Sequence, residues 1–109
     1  MNERQRLGGF GERIAAHRLE SLGMEIVDRN VRVGRAEIDL VARDGEETVV
    51  VEVRTRRGEP GLAAESLTPA KLRRLWHAAM GYAETHGIAP ERVRVDVIAV
   101  ELDGKGAAR

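Results

Sequence analysis

Apolar residues at Phe10, Ile14, Ala15, Leu19 and Leu22 recur at the three-to-four spacing of a helix, and Gly23 stands where the chain must leave it. The pattern predicts an amphipathic helix over 10–22 that ends in a left-handed residue. In projection Glu12 falls beside Leu19 at the edge of the apolar stripe, so its carboxylate is expected to look inward, while Arg18 projects near the middle of that stripe. The period then drops to two. Residues 24–33 predict a first, irregular strand, and 36–43 a second in which Ile38, Leu40 and Ala42 share one face and Glu37, Asp39 and Val41 the other. Asp44-Gly45 is a hairpin signal, and the β-branched run over 48–56 predicts an antiparallel third strand. There Val49, Val51 and Val53 face one way and Val50, Glu52 and Arg54 the other. The hairpin sets Asp39 and Glu52 on neighbouring strands.

Thr68-Pro69 pairs a capping hydroxyl with a proline at the first helical position, and opens a second helix that Gly87 closes. Leu72, Leu75, Trp76, Ala79 and Ala83 form its expected core stripe. A last strand spans 92–102, with Val93, Val95 and Val97 alternating against Arg94, Asp96 and Ile98. A helical connection between the last two strands predicts parallel neighbours joined by a right-handed crossover. The expected order is αβββαβ: one α/β domain over 1–109, a central mixed sheet flanked by helices, with the ends 1–7 and 103–109 expected to be flexible. The 109 residues, 42% of them hydrophobic, suffice for one modest core.

Composition narrows the chemistry. There is no cysteine, so any metal must be held by oxygen or imidazole, which favours a hard cation such as magnesium or manganese. No apolar run of membrane-spanning length occurs and the start does not read as a signal peptide, so a cytoplasmic location without membrane partners is expected. Eighteen basic residues balance eighteen acidic ones, so attraction to a polyanion must come from local clusters. Two are present. The run Arg54, Arg56, Arg57 and the group Lys71, Arg73, Arg74 can follow a phosphate backbone, although the second also reads as a solvated helix face. His17, His77 and His86 are scattered and expected at the surface. Only Phe10, Trp76 and Tyr82 are aromatic, and with Trp76 assigned to the core stripe no base-stacking platform is expected. A reader of junctions, branches or backbone shape fits that better than a single-strand binder.

Four segments in this order, Gly11-Glu12, Ala36-Glu37-Ile38-Asp39-Leu40, Val51-Glu52-Val53-Arg54-Thr55-Arg56 and Arg94-Val95-Asp96-Val97-Ile98, resemble the YraN-like family of bacterial proteins. Its members look like predicted endonucleases of the PD-(D/E)xK superfamily, related to archaeal Holliday-junction resolvases. The resemblance runs over about 8–100. It implies a restriction endonuclease-like core in which Asp39 and Glu52 bind magnesium or manganese and Glu12 completes the site. It also implies branched or structured DNA as partner, and a homodimer, since two symmetric strands call for two sites. Arg54 stands where the superfamily's name has lysine, Ala36 where glycine is usual, and the chain stops soon after Leu102, where relatives often continue.

Alternate positions on a strand put Glu52 and Arg54 on one face, about 6 to 7 Å apart along the backbone, so an anionic ligand and a cation flank one bound phosphate. A guanidinium with a pKa above about 12 takes no proton from water, so Arg54 is a charge clamp and Lys71 is the candidate for activating water. The expected catalytic set is Asp39, Glu52, Arg54 and Lys71. The expected nucleic-acid-binding set is Arg54, Arg56, Arg57, Lys71 and Arg74. Together they describe a metal-dependent, structure-recognising DNA endonuclease. The alternative is a non-catalytic nucleic-acid-binding or protein-interaction module on the same fold, its acidic pair neutralised by Arg54 and Arg18. Glu37 reads either as a second ligand or as a partner of Arg35, and Asp96 either as a salt-bridged strand residue or as a neighbour of the site.

Overall fold

The computed structural model describes residues 3–58 and 60–103, with side chains from residue 8 onward. The first helix, α1 (Glu3–Ser21), starts seven residues before Phe10 and leads into β1 (Glu25–Val33) through Gly23, whose φ of 91° is the left-handed exit the sequence requires. β2 (Ala36–Asp44) and β3 (Glu47–Arg57) form the expected antiparallel hairpin, closed at Asp44↔Glu47. A short helix, α2 (Leu62–Glu65), and a long one, α3 (Pro69–Thr85), carry the chain over to β4 (Val93–Leu102). A single 3-10 turn, Pro90–Arg92, precedes that strand. Thr68 caps α3 as its sequence predicts, its side chain accepting from the Lys71 N–H. Of the ends expected to be flexible, 3–7 belong to α1 and Asp103 follows β4, and the remainder lies outside the described residues.

The strands form one mixed sheet in the order β1-β2-β3-β4, antiparallel except for the parallel pair β3 and β4. Both faces are covered. Val49, Val50 and Val51 are all fully buried because alternate valines serve opposite layers. Val49 and Val51, with Leu40 and Ala42, pack under Ala15, Ala16 and Leu19 of α1. Val50, with Ile38 and Val41, packs under Leu75, Ala78, Ala79 and Tyr82 of α3. β4 divides as its alternation predicts, Val93, Val95 and Val97 toward α3 and Ile98 toward α1.

Three expectations of the sequence are corrected. Ile38 does not share a face with Leu40 and Ala42: it packs toward α3 with Val41, because β2 breaks its alternation at Asp39. Trp76 and Leu72 lie outside the core, 45% and 44% exposed, since α3 covers the sheet with the face that carries Leu75, Ala78, Ala79 and Tyr82. Arg18 is exposed and lies on the flank of α1, where Phe10 and Leu22 are also exposed.

Candidate functional site at a fork in the sheet

Asp39 sits where the sheet divides. The ladder between β2 and β3 ends at Leu40↔Val51, after which 36–38 pair with β1 alone and Glu52 onward with β4 alone. On its other side Asp39 lies opposite Asn30, which the register passes over and whose φ of 50° is the positive-φ backbone that asparagine tolerates better than most residues. Parting the strands frees the Val53 N–H from any partner on β2. Asp39 Oδ2 accepts that hydrogen at 2.8 Å, so the carboxylate closes the fork as a side-chain substitute for the missing rung.

The fork gathers carboxylates. Burial, then hydrogen bonding and charge from Asp39, push Glu52 up from 4.5 to about 8, against the opposing charges of Arg54 and Lys71. Glu12, reaching in from α1, is raised as well, first by burial and then by the charges of Asp39 and Glu37, with Asn30 opposing. Glu12 comes this close because Gly11 packs directly on buried Thr55 of β3, where an added methyl would overlap the threonine side chain. That contact explains the Gly-Glu pair, which lies mid-way along α1 and not at a helix opening.

Cations face this acidic group across a cavity of about 670 Å³ between the fork and α3, lined by Arg35, Glu52, Arg54, Lys71, Arg74 and His77 among others. Arg54 approaches Glu52 no closer than 3.9 Å. Its Nε donates instead to Ser66 Oγ at 2.9 Å and its Nη2 to the Ser66 carbonyl at 3.3 Å, the carbonyl that also accepts from Lys71 Nζ at 3.1 Å. Ser66 Oγ in turn donates to the Ala63 carbonyl at 2.6 Å, and the turn before α2 is tied to β4 by Gly61 N–H donating to Glu101 Oε2 at 2.6 Å. A single serine thus holds both site cations on the rim, turned partly away from the carboxylates.

Of the residues singled out from sequence, Asp39, Glu52, Arg54 and Lys71 come together, Glu12 joins through Asp39, and Arg74 lines the same cavity. Arg56 and Arg57 lie at the far end of β3, outside the cavity lining; Arg56 donates to the Thr55 carbonyl at 2.7 Å. Arg18 is exposed and forms no ion pair with these acids among the described residues. Asp96 is a strand ion pair, both its oxygens accepting from Arg94 Nε at 3.1 and 3.2 Å. His17, His77 and His86 are exposed, as expected. Among the described residues, no three carboxylate or imidazole groups gather into one ready-made metal cage.

The model of the uncharacterised protein family UPF0102 matches residues 11–100. The chain belongs to that family. It is similar to UPF0102 proteins of Kineococcus radiotolerans, 47% identical with 94% of this chain and 85% of the relative covered, and of Streptomyces coelicolor, 48% identical with 98% and 85% covered. A UPF0102 protein of Beutenbergia cavernae is 48% identical, with 100% of this chain and 93% of the relative covered. The matched span of the UPF0102 model opens at Gly11 and so takes in every residue of the fork. No helix of the described residues is long and apolar enough to cross a membrane.

Sequence reasoning missed three contributors. Ser66 carries no motif, and its role depends on α2, a four-residue helix without a side-chain cap. Thr55 was passed over as one more strand residue. Asn30 was the available sign of the fork, an asparagine within an apolar strand pattern.

Proposed function

We propose that this protein is a metal-dependent endonuclease acting on branched or otherwise structured DNA. The observation that carries the reading is the crowding at the fork: Glu52 is held near 8 by burial and Asp39 although two cations stand nearby. Carboxylates pressed together without full compensation favour a divalent cation, and the oxygen-only donor set suits magnesium or manganese. Magnesium commonly takes one or two carboxylates and keeps water and phosphate as its other ligands, so a pair fits without a complete protein cage. Asp39 and Glu52 are the residues that would hold the ion, with Glu12 behind Asp39. Bound there, such an ion neutralises charge on the phosphate and acidifies water.

The chain's own groups supply the rest. Arg54 and Lys71, fixed on Ser66, bind phosphate oxygens entering the cavity and orient the diester against Glu52. In this reading Arg54 is a charge clamp, and Lys71 is the group that moves a proton. A second reading, a phosphate-backbone binder that does not cut, is favoured by the arginine at position 54 and by the engagement of two of its three nitrogens with Ser66.

Calorimetric titration with manganese, and nicking of a four-way DNA junction, test the two readings. The enzyme reading expects saturable manganese binding that is lost in Asp39→Asn and nicking only when metal is present. Junction binding without manganese binding or nicking supports the non-catalytic reading instead.

A further inference from the structure

The exposed tryptophan of α3 is the feature least explained by the fold. Trp76 is the only tryptophan, and it is 45% exposed beside Leu72, one turn earlier on the same helix and 44% exposed. The helix that carries it is cationic along its first half. From Ser66 to Ala83 the chain carries Lys71, Arg73 and Arg74 and not one carboxylate. Arg73, three residues before Trp76, is a surface neighbour of the indole, and it is exposed with no ion pair among the described residues. An apolar protein partner would leave these charges unmatched, whereas a polyanion that also offers flat apolar faces matches both features.

Helical geometry relates this patch to the cavity. Lys71, Arg74 and His77 project to the cavity side of α3, Leu72 and Trp76 to the opposite flank, and Arg73 along the crest between them. A helix with its side chains is about 10 Å across, or roughly three stacked nucleotides at 3.4 Å each. A strand with a phosphate in the cavity therefore reaches Trp76 by crossing the crest of α3, passing Arg73 on the way. On the far side only a base free of its pairing partner can lie flat on the indole.

We infer that Trp76 is a stacking platform for an unpaired base, and that the substrate class is DNA carrying a single-stranded segment next to the bound phosphate. The inference rests on the reading of the cavity as a phosphate site, and not on cleavage or on metal.

The lone tryptophan gives the direct test. In EDTA, a short oligothymidylate is titrated into wild-type protein while indole fluorescence is followed, with a blunt duplex of the same length in parallel and fluorescence anisotropy of labelled DNA as the independent measure of binding. The expected result is quenching by the single strand and none by the duplex. Trp76→Ala should bind the single strand about tenfold more weakly, Trp76→Tyr close to wild type, and both with an unchanged salt dependence, because stacking carries no charge. Single-strand binding by anisotropy without quenching, equal quenching by duplex, or wild-type affinity in Trp76→Ala would each overturn the inference. So would a spectral shift that follows protein concentration alone, which would make the patch a contact between copies of this chain. Because metal is chelated throughout, loss of manganese binding or nicking would sink the enzyme reading and leave this result standing.

Discussion

Glu52→Gln isolates the electrostatic cost of the fork. Folding moves this carboxyl from an ordinary 4.5 to about 8. At about 1.4 kcal/mol per pH unit, the folded chain favours the protonated form by an amount on the order of 5 kcal/mol. The side chain is 23% exposed and Arg54 is 3.9 Å away. Water reaching that surface reduces the usable figure to roughly 2 kcal/mol. The sign is set by the direction of the change: a proton held more tightly in the native state adds stability that is complete below pH 4.5 and lost as pH rises through about 8. Glutamine has no proton to lose. The stability of the variant relative to wild type should therefore grow by about 2 kcal/mol or more between about pH 5 and pH 9, which is roughly 10 °C in Tm for a domain of this size. Urea unfolding followed by far-UV circular dichroism, in EDTA at constant ionic strength and across that range, measures both proteins. Titrating groups remote from the fork are shared and cancel in the difference. A difference that stays flat with pH would mean that Glu52 ionises as it does in water, and the crowding that underlies the metal reading would be absent.

Gly11→Ala should destabilise the chain by about 1–3 kcal/mol through overlap with Thr55, and Thr55→Ala in the same protein should recover part of the loss in thermal melts. Thr55→Val alone should be neutral or mildly stabilising, because the hydroxyl it removes is buried with no hydrogen-bond partner among the described residues. Ser66→Ala should cost about 1 kcal/mol in the same melts. By freeing Arg54 to close on Glu52, it should also lower the Glu52 pKa, which would appear as a smaller loss of stability between acid and alkaline pH. Manganese affinity should rise with pH up to about 8 and level off above it, since binding must displace the Glu52 proton; calorimetry at three pH values checks this.

What was legible in the sequence was local. Asp44-Gly45 with β-branched runs on either side specified the hairpin, Thr68-Pro69 the start of α3, and the alternation of Val93, Val95 and Val97 the inward face of a strand parallel to β3. Asp39 and Glu52 could be paired from the hairpin register, and Glu12 from its place on the stripe. What failed were inferences that extend a period through a break. A strict alternation carried through Asp39 put Ile38 with Leu40, whereas the left-handed Asn30 and the parting of β2 from β3 set them on opposite layers. A helical stripe says which residues are apolar, not how wide a surface lies beneath them, so Trp76 was assigned to a core that ends at Leu75, Ala79 and Ala83. The grip of Ser66 on Arg54 and Lys71 depends on a tertiary tie through Gly61 and Glu101, forty residues apart, which no local pattern carries.

One residue, Asp39, therefore answers to two demands, and they can be separated. Its Oδ2 completes a hydrogen-bond rung that the fork would otherwise leave open, while its carboxylate adds, after burial, to what raises both Glu52 and Glu12. Asn at this position keeps an oxygen for the Val53 N–H and removes the charge. Alanine removes both, and strands a part-buried donor at a cost of about 1–3 kcal/mol. If the fork were only a structural irregularity, the two substitutions would differ in stability and agree in everything else. If it exists to hold carboxylates together, Asp39→Asn alone should release Glu52 toward its ordinary range and remove cation binding while leaving the fold intact. The parting of the two strands then has a reason: continued pairing past Leu40 and Val51 would give the Val53 N–H a backbone partner and close the opening into the cavity.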